Sequence, residues 1–214
     1  VTAVVEIAPL PQGTTGVFTG LLDRLFYYNG GHGGFVTLTV NESGRFTGRI
    51  IRGGFYTTNF TGRLDIDPQA QAPEATVLIP RAAPHPPLEL FFTLADGVLE
   101  GDLSAPGEEG IRVRGFRQAK SATPASVAGR YNMPLRTVQS DAAYPLGTGH
   151  LSAVLSAQGA VNFSGKLADG TTLTGSGIPA SGGELPLHRM LYNNTGSIQG
   201  LLILDRGTPS FEAA

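Results

Sequence analysis

Apolar and polar residues alternate along short stretches of this chain, and each stretch is bounded by Gly, Pro, Asn or Asp. A period of two places successive side chains on opposite faces of a strand. The first half then divides into eight predicted strands, at 17–24, 34–41, 45–52, 56–66, 75–81, 88–94, 98–103 and 111–118. Val36, Leu38 and Val40 face one way while Thr37 and Thr39 face the other. That is the signature of an antiparallel sheet with one buried and one wet face. Short spacing with turn residues between the strands predicts a meander.

The second half follows the same plan. Gly34-Phe-Val-Thr-Leu-Thr-Val-Asn-Glu-Ser-Gly44 aligns without a gap on Gly149-His-Leu-Ser-Ala-Val-Leu-Ser-Ala-Gln-Gly159, which sets Val36, Leu38 and Val40 over Leu151, Ala153 and Leu155. Phe46-Thr-Gly-Arg-Ile50 then matches Phe163-Ser-Gly-Lys-Leu167 after a two-residue insertion, which leaves the inward and outward faces unchanged. Phe60-Thr-Gly62 matches Leu173-Thr-Gly175, Gly97-Val-Leu-Glu-Gly-Asp-Leu103 matches Gly196-Ser-Ile-Gln-Gly-Leu-Leu202, and Gly16-Val-Phe18 returns as Gly129-Arg-Tyr131. A glycine inside such a strand permits a bend or lets a neighbouring ring lie over the backbone.

The fold expected is therefore all-β: two tandem antiparallel meander modules, each a small β-barrel or sandwich-like sheet of about six to eight strands. Copy 1 spans 13–120 and copy 2 spans 129–214, joined by a linker at 121–128 of small residues. Nothing after Asp205 matches the strand at 111–118, so copy 2 is expected to lack its last strand. Residues 1–12 form an N-terminal strand or linker, read as the tail of an upstream domain, and the apolar run at 1–8 could alternatively pair with an open sheet edge. The chain begins at Val without Met, which reads as a processed or excised piece of a longer protein.

Composition sharpens this picture. Gly and Pro number 30 and 15 of 214 residues, and the longest stretch free of both, 135–144, is too short for an ordinary helix. Net charge is −2 and only 15% of residues are charged, which removes the field that nucleic-acid binding needs. Cysteine is absent, so disulfides, zinc-thiolate sites and thiol nucleophiles are excluded. No run is long and apolar enough for a membrane helix, and insertion into a membrane is not expected.

Motifs of common enzyme chemistry are missing: no Gly-x-Ser-x-Gly, no phosphate loop, no His-Glu-x-x-His and no EF-hand loop. His32, His85, His150 and His188 lie apart, without ligand spacing. Asp65-Ile-Asp67 and Glu108-Glu109 stand beside turns where carboxylates could hold calcium, although turn acids are ordinarily solvated. Arg45, Arg49, Arg112 and Arg114 share outward faces and could form a basic stripe, but acids outnumber bases across residues 1–120. The most suggestive segment is Leu25-Phe-Tyr-Tyr-Asn-Gly-Gly-His-Gly-Gly34, where Tyr27 and Tyr28 offer flat amphipathic faces suited to stacking on sugars. Tyr192 is the matching candidate in copy 2. The plainer reading is that Phe26 and one tyrosine close the end of a barrel while the glycines turn the chain.

Gly16-Val-Phe-Thr-Gly-Leu-Leu-Asp23, Asn29-Gly-Gly-x-Gly-Gly34 and Gly165-Lys-Leu-Ala-Asp-Gly-Thr171 resemble a tandem Gly-rich β-repeat unit of very large exported proteins in Verrucomicrobia-like bacteria. Members of that group usually close the second copy with a strand containing Trp, which this chain does not have. The resemblance implies an extracellular or cell-surface location and a structural or adhesion role, and it transfers no catalytic residue. The leading expectation is a non-enzymatic structural or adhesion module, with polysaccharide or other envelope proteins as partners. A carbohydrate-binding module using Tyr27, Tyr28 and Tyr192 is the alternative, and a hydrolase with dispersed acids, needing two carboxylates in one cleft, comes third.

Overall fold

Gly16–Leu22 (β1), Gly34–Val40 (β2), Arg45–Arg52 (β3), Tyr56–Arg63 (β4), Glu74–Ile79 (β5), Leu88–Ala95 (β6), Val98–Ser104 (β7) and Ile111–Arg117 (β8) form one antiparallel sheet. Its strand order, β4-β3-β2-β1-β8-β7-β6-β5, pairs β1 with β8 and the other strands with their neighbours in sequence, leaving β4 and β5 at the two edges. Asp65 and Glu74 exchange backbone hydrogen bonds of 2.7 and 3.1 Å, bringing the ends of β4 and β5 together and nearly closing the sheet into a barrel. In this computed structural model the residues described are 9–54, 56–66, 72–119, 128–136, 147–205, 207 and 209–213. The N-terminal segment 1–8, Asp67 and residues 121–127 of the expected linker lie outside them.

The chain divides into two compact units, 1–115 and 116–214. In the first, alternate strand positions turn inward, as the period of two demands: Val36, Leu38 and Val40 from β2, Phe46 and Ile50 from β3, and Leu88, Leu90, Phe92 and Leu94 from β6 are all buried. Phe46 meets Phe60 and Phe92 edge to face, with centroids 6.3 and 5.3 Å apart. The interior between Leu38, Phe60, Leu90, Phe92 and Val113 leaves no space for a water-sized molecule. Eight strands enclose a channel just wide enough for side chains to fill, and here they fill it.

Two glycines make that packing possible. A Cβ at Gly48 would stand 2.1 Å from Phe60 Cζ, and one at Gly62 would stand 2.4 Å from Phe46 Cζ. Gly48 pairs across the sheet with Phe60, and Phe46 with Gly62, so each ring lies over a bare stretch of its partner strand.

The second unit is built from Gly129–Arg136 (β9), Thr148–Leu155 (β10), Val161–Lys166 (β11), Thr172–Gly177 (β12), Glu184–Leu191 (β13), Gly196–Ile203 (β14) and Ser210–Ala213 (β15). The first four make one antiparallel sheet and the last three another, and Leu151, Phe163, Leu187 and Leu202 from both sheets share one core. Phe163 pairs with Gly175 as Phe46 pairs with Gly62, and its ring covers that glycine in the same way. The two extra residues inferred between Gly159 and Phe163 do not lengthen a turn. Val40 pairs with Phe46 and Leu155 with Val161, so both hairpins enclose five residues, 41–45 and 156–160. The aromatic motif instead sits two residues further along β11, a shift that keeps every side chain on its face.

Copy 2 does not lack its last strand. Ser210–Ala213 pairs with β14, setting Phe211 opposite Leu202 and against the core. A four-residue strand with one apolar inward residue has too little alternation to be read from sequence. In this unit β12 leads directly into β13 through residues 178–183.

Candidate functional site

In an antiparallel meander the connections alternate between the two ends, so the β1–β2, β3–β4, β5–β6 and β7–β8 connections of the first unit gather at one rim. The β1–β2 connection carries a single helical turn, Phe26–Asn29 (α1), ended by Gly30 in the left-handed region with its N–H bonded to the Phe26 carbonyl. Asn29 is buried and anchors the turn from both sides, donating from Nδ2 to the Asp23 carbonyl (2.8 Å) and accepting the Leu25 N–H at Oδ1 (3.1 Å). The β3–β4 turn seats against it. Gly53 has φ +56°, and a Cβ there would lie 2.4 Å from the Asn29 carbonyl oxygen.

This rim separates the two adjacent tyrosines. Tyr28 is only 3% exposed. Its hydroxyl donates to the Glu109 carbonyl (2.7 Å) and accepts the Ala105 N–H (3.1 Å), with Glu108 Oε2 at 3.4 Å. It therefore ties α1 to the β7–β8 connection and closes the barrel end. Phe26, offered by the plainer reading for the same task, points into solvent instead. Tyr27 is 53% exposed, its ring set edge to face against Tyr28 at 5.4 Å. Tyr192 belongs to the second unit, where its hydroxyl hydrogen-bonds Asp169.

Beside Tyr27 opens a cleft of about 320 Å³ whose lining includes Arg52, Tyr56, Thr58, Arg81 and His85. Tyr56 is 60% exposed. The Arg52 guanidinium lies 5.2 Å from the centre of the Tyr56 ring, and that of Arg81 lies 5.9 Å from the centre of Tyr27, both within cation–π range. Arg52 is the last residue of β3 on the inward face that Phe46 and Ile50 occupy, and it is 5% exposed. Burial first, and the like charge of Arg81 second, lower its pKa from the ordinary guanidinium value, while Tyr56 acts in the opposite direction. Arg81 donates from Nε to the Pro86 carbonyl at 2.6 Å, which fixes it within the β5–β6 connection. No carboxylate lines the cleft among the described residues.

Of the three candidate tyrosines, Tyr27 and Tyr28 reach this rim and Tyr27 alone of these two presents its ring to solvent, while the exposed Tyr192 lies in the second unit. Arg52, Tyr56 and Arg81 went unnoticed. Arg52 left a legible trace, because counting by two from Phe46 through Gly48 and Ile50 puts an arginine on the buried face. The basic stripe is partly neutralised: Arg112 and Arg114 both approach Glu100 Oε1, at 3.2 and 3.6 Å. The calcium candidates do not converge. Asp65 serves the barrel seam through its backbone, Glu108 faces the Tyr28 hydroxyl, and no group of three or more metal-ligating side chains gathers among the described residues. Comparisons with protein-family models, curated proteins and solved structures give no match.

Proposed function

We propose that the chain is a non-enzymatic adhesion module of a cell-surface or exported protein, whose first unit holds a saccharide in the rim cleft. One observation carries this reading: two solvent-facing tyrosines, Tyr27 and Tyr56, flank a cleft of ligand size on a rim braced by buried Tyr28 and Asn29. Rings held this way give large amphipathic faces at small entropic cost. The packed barrel interior between Leu38, Phe60, Leu90, Phe92 and Val113 leaves no room there for a ligand. A hydrolytic role would need an acid and a base across the cleft, and its described lining offers no carboxylate. The likeness to Gly-rich β-repeats of large exported proteins supports the cellular setting.

A glycan array probed with the purified chain, with and without calcium, tests the reading. Binding should weaken roughly tenfold or more in Tyr27→Ala and Tyr56→Ala. A blank array with folded protein, or binding indifferent to both rings, overturns it and leaves a spacer role within a larger protein.

A further inference from the structure

Arg52 stands where the barrel pattern asks for an apolar side chain. Its Nε is buried without a hydrogen-bond partner, and so is Nη2 of Arg81 on the same cleft. Neither arginine has an ion-pair partner among the described residues. Two neighbouring cations with unused donors are unfavourable in the empty protein, since buried N–H groups lose water without replacement and like charges repel. The Tyr56 and Tyr27 rings offset part of this but accept no conventional hydrogen bond.

We infer that the absent partner is an oxyanion on the ligand: the cleft takes a saccharide bearing a carboxylate or sulfate group, held between Arg52 and Arg81. Guanidinium groups present paired N–H donors in a rigid plane that matches such oxygens. Arg81 is held in place by Pro86, and Arg52 by the barrel wall, so little ordering is needed on binding. The saccharide part of this ligand rests on the function proposed above, whereas the oxyanion site does not.

The first test follows thermal unfolding of the wild type in sodium sulfate against sodium chloride at matched ionic strength, with Arg81→Gln and Arg52→Met alongside. Sulfate should raise the melting temperature of the wild type beyond its general effect on both variants. Without sulfate, Arg52→Met should melt at or above the wild-type temperature, because it removes an unpaired buried charge. A merely structural Arg52 would give the reverse. Equal sulfate shifts in all three proteins overturn the inference.

The second test compares an oligogalacturonate, its methyl ester and a sulfated dextran by calorimetric titration. Binding of the free acid or the sulfate ester, at least about tenfold weaker for the methyl ester and for Arg81→Gln, supports the site and tells its two sources apart. Binding of neutral glycans that survives Arg81→Gln overturns the oxyanion and leaves the saccharide reading intact. A sulfate effect lost in Arg81→Gln, with no glycan bound, keeps the oxyanion and removes the saccharide.

Discussion

Single residues at the barrel rim divide sharply between holding and presenting. Tyr28 and Tyr27 are neighbours in sequence, yet one hydroxyl is spent inside the protein and the other ring is left to solvent. Tyr28→Phe keeps the ring and removes the acceptor for the buried Ala105 N–H, a loss of about 1–2 kcal/mol. Urea denaturation should show that loss, with glycan binding little changed. Unchanged stability with lost binding would mean instead that the Tyr28 hydroxyl touches the ligand. The same contrast separates the arginines: Arg112 and Arg114 share Glu100 on the exposed surface, where ion pairs contribute little, while Arg52 is buried without an acceptor.

At the scale of elements, turns and hairpins are held by local polar contacts that titrate. In the second unit the β11–β12 connection carries Asp169 and the turn after β13 carries Tyr192, joined by the tyrosine hydroxyl. That bond first, and the Thr171 backbone N–H second, hold the Asp169 pKa below its ordinary value. Folding therefore favours the carboxylate, and this contribution is whole above the unfolded pKa near ~4 and is lost as pH falls through the lower folded value. On the alkaline side the same bond raises the Tyr192 pKa, so its contribution is present below about pH 10 and is lost as pH rises through the folded value. Tyr192→Phe should melt below the wild type near neutral pH, with the two curves converging as pH falls below the unfolded carboxylate value. A constant offset across that range would show that the pair does not form.

Two separate cores make the whole molecule a pair of units. Leu38 is fully buried in the first, and Leu38→Asp places an unpaired charge there at several kcal/mol, against a total stability of about 5–15 kcal/mol for a domain. Among the described residues, the core around Leu151, Phe163, Leu187 and Leu202 is built from the second unit. Calorimetry of Leu38→Asp should show the first unit unfolded and a transition from the second retained. Loss of both together would show that the two fold as one cooperative body.

Strand positions and their faces were legible in the sequence because period two is a local property. Residues 34–41, 45–52 and 88–94 declare themselves by their own alternation, and the structure follows it almost residue by residue. The glycine and aromatic motifs allowed either a bend or a ring over bare backbone, and the structure has the ring at Gly48, Gly62 and Gly175. What the pattern could not supply was pairing at a distance: that Ser210–Ala213 adds a strand beside β14, how the motif sits along β11, and that β1 meets β8. The cleft belongs to this second class. Tyr27 and Arg81 lie in two connections and Arg52 and Tyr56 flank a third, and they become neighbours because a meander curling into a barrel brings every second loop to one rim.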